Sequence, residues 1–278
     1  MEHIEAELCE RCKKQAKGRL FRMTEELKIA MLELQEANLI KNEFLSRISH
    51  EMLTPLTAIR GMVRVIMQSR VLADIKDEVY AIDRASSQLS TMINDLLDLS
   101  GDGYGEFELQ ESEFSFEDAF WTSASKVRSD LMAKNHKLNV ELNPSVLRTF
   151  IGDEKRLAQV ITHLLANAVK FTPEKGEISF SANVQSEDAD NATLRIIITD
   201  NGIGISKQQQ RKIFDIFTQV DESLTRKYGG VGLGLPLAEY IVSLMGGKIK
   251  VESELGAGST FSFTCKLKKA EAPLTHSQ

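Results

Sequence analysis

The sequence is poor in cysteine, has no long apolar run and carries no basic block, and each absence removes a class of protein. Three cysteines in 278 residues are too few for a disulfide framework. Cys9 and Cys12 form one C-E-R-C pair, but no second ligand pair or neighbouring strand-helix unit supports a metal or redox site, so they read as exposed thiols. Nothing approaches the ~18 consecutive apolar residues of a membrane span. The first residues, M-E-H-I-E-A-E, lack the basic start and apolar centre of a signal peptide, so the expectation is a cytoplasmic chain without a membrane segment. With 34 basic against 40 acidic residues the formal charge is −6, and nothing favours a nucleic-acid partner. What remains, 42% apolar and 27% charged residues, suits a globular chain long enough for two domains.

The first stretch is helical. Leu20, Leu27 and Leu34 stand seven apart, and Met23, Ala30, Ala37 and Phe44 form a second series three residues on. This heptad pattern predicts a coiled-coil arm over residues 1–43 that pairs with a second copy. The spacing then changes to Phe44, Ile48, Met52, Leu56 and Ile59, one apolar stripe on a helix, with His50 off the stripe. Pro55 has no N–H for the Glu51 carbonyl and its ring crowds that oxygen, so a kink is expected there. His50, Glu51 and Thr54 can share one polar patch. Taken alone, such a histidine reads as surface. After a link near Val71 a second helix should open at Asp74 and bury Ile75, Val79, Ile82, Leu89, Ile93 and Leu96. Residues 44–100 thus predict an antiparallel helical hairpin, two copies of which make a four-helix bundle.

G-D-G-Y-G, residues 101–105, is the expected hinge. Beyond it, residues 106–268 alternate between strand and helix patterns. Strands are expected around Phe107 and Leu109 and over 138–142, 178–184, 194–199, 248–252 and 259–266, with helices over 116–131, 153–170 and 233–245. Residues 269–278 read as a disordered polar tail.

Three segments of this second domain carry chemistry. In H-L-L-A-N-A-V-K-F-T, His163, Asn167 and Lys170 share a helix face; an amide oxygen on Asn167 suits Mg²⁺, and Lys170 can offset phosphate charge. D-N-G-I-G closes a predicted strand, where Asp200 can accept a hydrogen bond from an exocyclic amine such as that of adenine, and Gly202 and Gly204 let backbone approach a ligand. G-G-V-G-L-G-L, residues 229–235, runs into a helix and offers bare N–H groups to a polyphosphate. It is neither a Rossmann fingerprint nor a Walker A loop.

In this order the segments resemble the sensor histidine kinases of two-component signalling. The resemblance covers nearly all of residues 41–267: Phe44 to Ile59 is similar to the H box, Ile161 to Thr172 to the N box, Asp200 to Gly204 to the G1 box and I-F-D-I-F (213–217) to the F box. Gly230 to Leu235 resembles G2, and G-A-G-S-T-F (256–261) the final glycine turn. The implied fold is α plus α/β: a dimeric antiparallel four-helix bundle with an N-terminal coiled coil, then an α/β-sandwich (Bergerat-type) ATP-binding domain. The implied activity is ATP-dependent autophosphorylation of His50, then transfer to an aspartate on the receiver domain of a separate response regulator.

Glu51 would orient or deprotonate the imidazole, and Thr54, in an E-x-x-T pattern, would position water for dephosphorylating the regulator. Nucleotide would be held by Asn167, Lys170, Asp200, Gly202, Gly204, Gly230, Gly232, Leu233, Gly234 and Thr260. Arg226 and Lys227 would add charge, and Phe214 and Phe217 would anchor a lid over residues 206–228. Mg²⁺ would sit on Asn167 and His163. Two positions depart from the family: Leu53 stands where arginine is usual, and His163 where asparagine is usual. These departures suggest a rival reading, a degenerate nucleotide-binding scaffold; a conformational ATPase of the same superfamily is disfavoured because the hairpin with His50 precedes the ATP site.

Overall fold

A computed structural model of the chain describes residues 2–68, 72–100, 108–215 and 232–270. The chain divides into two compact units, Met1–His50 and Glu51–Gln278. Helix α1 spans Glu2–Gln68 and α2 spans Leu72–Ser100. Pro55 lies inside α1, which continues on both sides of it. The second helix opens at Leu72, one turn nearer the link than the Asp74 cap predicts. In the first unit the heptad residues Met23, Leu27 and Leu34 are 66, 63 and 62% exposed, so the single chain leaves this stripe uncovered.

Within the second unit, the elements that follow are β1 Ser112–Ser115, α3 Phe116–Ala133, β2 Lys137–Leu142, a single 3-10 turn at Pro144–Val146, β3 Thr149–Gly152 and α4 Glu154–Phe171. Then come β4 Glu177–Glu187, β5 Asn191–Asp200, the short α5 Lys207–Gln210, α6 Gly234–Leu244, β6 Ile249–Glu254 and β7 Gly258–Lys269. The strands form one sheet in the order β1-β3-β7-β5-β4-β2, with β6 also on β7. Among the described residues only β2 and β4 pair in parallel; the other pairs are antiparallel. One sheet face is buried, as the alternating pattern of β4 and β5 requires, and α3, α4 and α6 cover it. Phe120, Phe180, Leu164, Ile196, Ile241 and Phe263 lie at the centre of this layer.

Some expectations for this region need correction. The strand placed around Phe107 and Leu109 is instead Ser112–Ser115: Leu109 packs on the core from an irregular segment, and Phe107 lies outside the described residues. Strand β3 was not anticipated, because its four residues T-F-I-G are too few to display a period. The disordered tail expected over 269–278 does not begin at 269, because Lys269 ends β7 and pairs with Phe150. Residues 271–278, the hinge at 101–105, Cys9, Cys12 and the link at Val71 fall outside what the structure describes in their side chains or backbone.

Candidate active site

Helix α4 is built to present one polar stripe. Asp153 caps it, its Oδ1 accepting the Arg156 N–H at 3.0 Å while Oδ2 accepts the Gln110 N–H at 2.9 Å. Leu157, Ile161, Leu164, Leu165 and Ala168 turn into the core, which leaves Arg156, Gln159, His163, Asn167 and Lys170 along the opposite side. The helix ends at Phe171, with Pro173 two residues on.

At that end the helix meets the D-N-G-I-G segment. The Ile203 N–H donates to the Phe171 carbonyl at 3.3 Å, and the Gly256 N–H donates to the Ile203 carbonyl at 2.7 Å. These bonds tie three separate stretches into one corner. Glycine is required there by close approach: a Cβ on Gly202 would lie 2.6 Å from the Phe171 carbonyl oxygen, and one on Gly204 (φ +69°) only 1.9 Å from that of Glu254. Asp200 is buried at the corner, where its Oδ1 accepts the Gly202 N–H at 2.8 Å. Burial raises its pKa, opposed by the N–H groups of Gly202 and Ser259. Thr260 lies opposite Thr199 across the β5/β7 pair, their hydroxyls 3.0 Å apart.

Asn167 and Lys170 sit half-buried on the last turns of α4. Burial lowers the Lys170 pKa, with the Glu51 carboxylate of α1 pulling it upward. Lys134, which has no sequence signal, holds this end of the helix: its ammonium donates to the carbonyls of Val169, Lys170 and Thr172 at 2.7, 2.8 and 3.1 Å. It lies 35 residues from Val169 in the chain, so only the fold could reveal it.

The glycine-rich loop enters α6 through Gly232 (φ +75°), Leu233 and Gly234, and no side chain caps the helix. Bare N–H groups are therefore presented at its start. Gly234 packs on His163, where an added Cβ would stand 2.9 Å from Nδ1. The other ring nitrogen, Nε2, faces Asp95 Oδ1 of α2 at 3.3 Å, an electrostatic contact rather than an aligned hydrogen bond. His163, expected as a metal ligand, thus has one ring nitrogen turned to α2 and the other to Gly234. Of the segment expected to form a lid, the start of α5 carries a Ser206–Gln209 capping box, Ile213 is buried and Phe214 packs on the core. Phe217, Arg226, Lys227 and Gly230 lie outside the described residues.

On α1, His50 and Thr54 are exposed, Glu51 is half-buried and Pro55 is buried. His50 closes the first unit and Glu51 opens the second.

A buried carboxylate at a strand end, close-approach glycines and an uncapped helix start around a polar helix face define an ATP-binding fold of the α/β-sandwich class. Residues 152–269 match the family described as "Histidine kinase-, DNA gyrase B-, and HSP90-like ATPase", and residues 40–103 match the "His Kinase A (phospho-acceptor) domain". The chain belongs to the sensor histidine kinases of two-component systems. It is 37% identical over 245 residues to the sensor protein GacS of Pseudomonas syringae pv. syringae, covering 88% of this chain and 27% of the relative. Among solved structures, full-length ShkA in complex with AMPPNP aligns with TM-score 0.59 and 29% identity over 83% of this chain and 47% of that one. ThkA in complex with the response regulator protein TrrA aligns with TM-score 0.54 and 24% identity over 85% of this chain and 64% of that one, a likeness of fold. The chain thus spans about a quarter of the length of the curated relative it matches.

Proposed function

We propose that this chain uses ATP to phosphorylate His50 and passes the phosphoryl group to an aspartate on the receiver domain of a separate response regulator. The observation that carries the reading is the corner where Asp200, Gly202 and Gly204 meet the end of α4 beside Asn167 and Lys170. Asp200 has the acceptor chemistry for an exocyclic amine, the glycines leave room that a Cβ would fill, and the start of α6 suits phosphate oxygens. Family membership and the AMPPNP bound to ShkA support ATP as the nucleotide. The regulator bound to ThkA supports a receiver domain as partner.

In the proposed reaction a ring nitrogen of His50 attacks the γ-phosphorus of ATP, the bond to the β,γ-bridging oxygen breaks, and ADP leaves with that electron pair. Glu51 would orient the imidazole and take the ring proton. Lys170 would offset charge on the phosphates. Mg²⁺, when bound, would supply further charge neutralisation, and the Asn167 amide oxygen is the ligand this chain offers for it. Transfer then forms an aspartyl phosphate on the regulator and regenerates His50. Thr54, one turn beyond His50 on the same helix, would position a water for removing that phosphate.

We assign residues 44–100 to dimerisation and phosphoacceptance and 106–268 to nucleotide binding. A second copy is the fitting cover for the stripe residues Leu56, Val63, Val79 and Ile93, which are all exposed in one chain. The test is incubation with γ-labelled ATP and Mg²⁺. Acid-labile, alkali-stable label that disappears in His50→Gln is the expected result, and Thr54→Ala should slow dephosphorylation of the regulator while leaving the label on His50. Nucleotide binding without label would sink the kinase reading in favour of a scaffold, and phosphate release without label would favour a conformational ATPase.

A further inference from the structure

The lower half of the α4 stripe is not free for nucleotide. Two carboxylates of α2 take it up. Arg156 makes a two-pronged contact with Asp98, Nη1 to Oδ2 at 2.6 Å and Nη2 to Oδ1 at 3.1 Å. Gln159 donates from Nε2 to Asp98 Oδ2 at 3.1 Å and to Asp95 Oδ1 at 3.3 Å, and accepts from Arg156 Nη1 at 2.8 Å. His163 completes the row against Asp95. The spacing of three on α2 thus meshes with spacings of three and four on α4.

Three features separate this contact from a surface ion pair. It is largely shielded: the side chains of Asp95, Asp98, His163 and Arg156 are 11, 16, 13 and 27% exposed. Its charges are also misplaced for α2 alone. Two acids in the last turns of a helix with no basic residue there face the negative end of the helix dipole, so they weaken α2 until a cation meets them. Finally, the contact has a consequence at the far end of α4. A helix transmits position over its length, and Arg156 lies about 21 Å from Lys170 along the axis. Lys170 there feels the Glu51 carboxylate of α1, the residue that follows His50. Between the two ends, the His163 ring rests on Gly234 at the start of α6.

We propose that Asp95 and Asp98 are positioning residues for phosphoryl transfer: by gripping Arg156, Gln159 and His163 they seat the nucleotide helix on α2 at the place from which transfer proceeds. His163, in this arrangement, links that seat to the glycine loop. This inference rests on the kinase reading.

The test uses the whole chain, measuring the rate of His50 labelling at saturating ATP together with the affinity for a fluorescent ATP analogue. Asp98→Asn and Asp95→Asn should slow labelling by about 10- to 100-fold, the range expected when reacting groups are misplaced by around an ångström. Analogue affinity should stay within about twofold, since neither residue belongs to the nucleotide corner; this also shows that the variants fold. Exchanging the charges in Asp98→Arg/Arg156→Asp should recover most of the lost rate. Arg84→Ala, which removes the exposed Arg84–Asp130 pair between α2 and α3, should label at the normal rate. Unchanged or faster labelling in Asp98→Asn would overturn the proposal, the latter by making the seat inhibitory. Equal slowing by Arg84→Ala, or a loss that the charge exchange does not recover, would overturn it too. A wild-type chain that takes no label would instead refute the kinase reading beneath it.

Discussion

Gly204 and Gly256 are both left-handed glycines near the nucleotide corner, with φ of +69° and +83°, yet alanine should not affect them equally. Either substitution puts an L-residue in a left-handed conformation, at about 1–2 kcal/mol, and either loses unfolded-state entropy by a similar amount. Those contributions cancel in the difference. What does not cancel is space. The Cβ at Gly256 meets nothing within 4 Å, whereas at Gly204 it would stand 1.9 Å from the Glu254 oxygen, 2.8 Å from its carbonyl carbon and 3.0 Å from the Leu255 Cα. All three are backbone atoms, so no rotamer can relieve the contact. The 254–256 turn must retreat by about 1 Å, which breaks the 2.7 Å bond from the Gly256 N–H to the Ile203 carbonyl. That bond contributes about 0.5–1.5 kcal/mol, and displaced packing adds a comparable amount, so Gly204→Ala should exceed Gly256→Ala by roughly 2 kcal/mol. For a folded region of this size the extra loss lowers Tm by about 4–8 °C. Scanning calorimetry of the two ligand-free variants measures it, and affinity for an ATP analogue should fall only in Gly204→Ala. Equal Tm values would refute the argument that close approach, rather than backbone sign alone, demands glycine at 204.

Two further outcomes are expected. Lys134→Met removes the donor shared by three carbonyls at the end of α4 and should cost about 2–4 kcal/mol; urea unfolding should show a lower midpoint with unchanged slope, and an unmoved midpoint would refute the capping role. Lys170→Met should raise the Tm of the ligand-free chain at neutral pH, because burial depresses the lysine pKa. The sign follows from linkage: a depressed folded-state pKa means that the charged form burdens the fold, a burden absent above the ordinary lysine range, growing as pH falls from that range towards the folded value and constant below it. The Tm advantage of the variant should therefore shrink when melts are repeated above about pH 10.4, and an advantage that is constant with pH would refute it.

Local chemistry was readable from the chain alone. The apolar face of α4, the strand ending in Asp200 and the glycines at 202, 204 and 234 depend on periodicity and the freedom of a missing Cβ, all properties of a few neighbouring residues. The polar stripe of α4 was equally visible in its upper half, where Asn167 and Lys170 stand as expected. Tertiary structure decided the rest because it depends on what distant segments bring. Strand β3 exists through its partners β1 and β7 rather than through any pattern of its own. Lys134 becomes a helix cap only because the end of α3 lies beside the end of α4. His163 stands where the resemblance implies a metal ligand, and its ring lies between Asp95 and Gly234, which are 68 residues before it and 71 after it. A side chain's type and spacing establish what it can bind; the low-dielectric neighbours that the fold delivers determine which of those partners it meets.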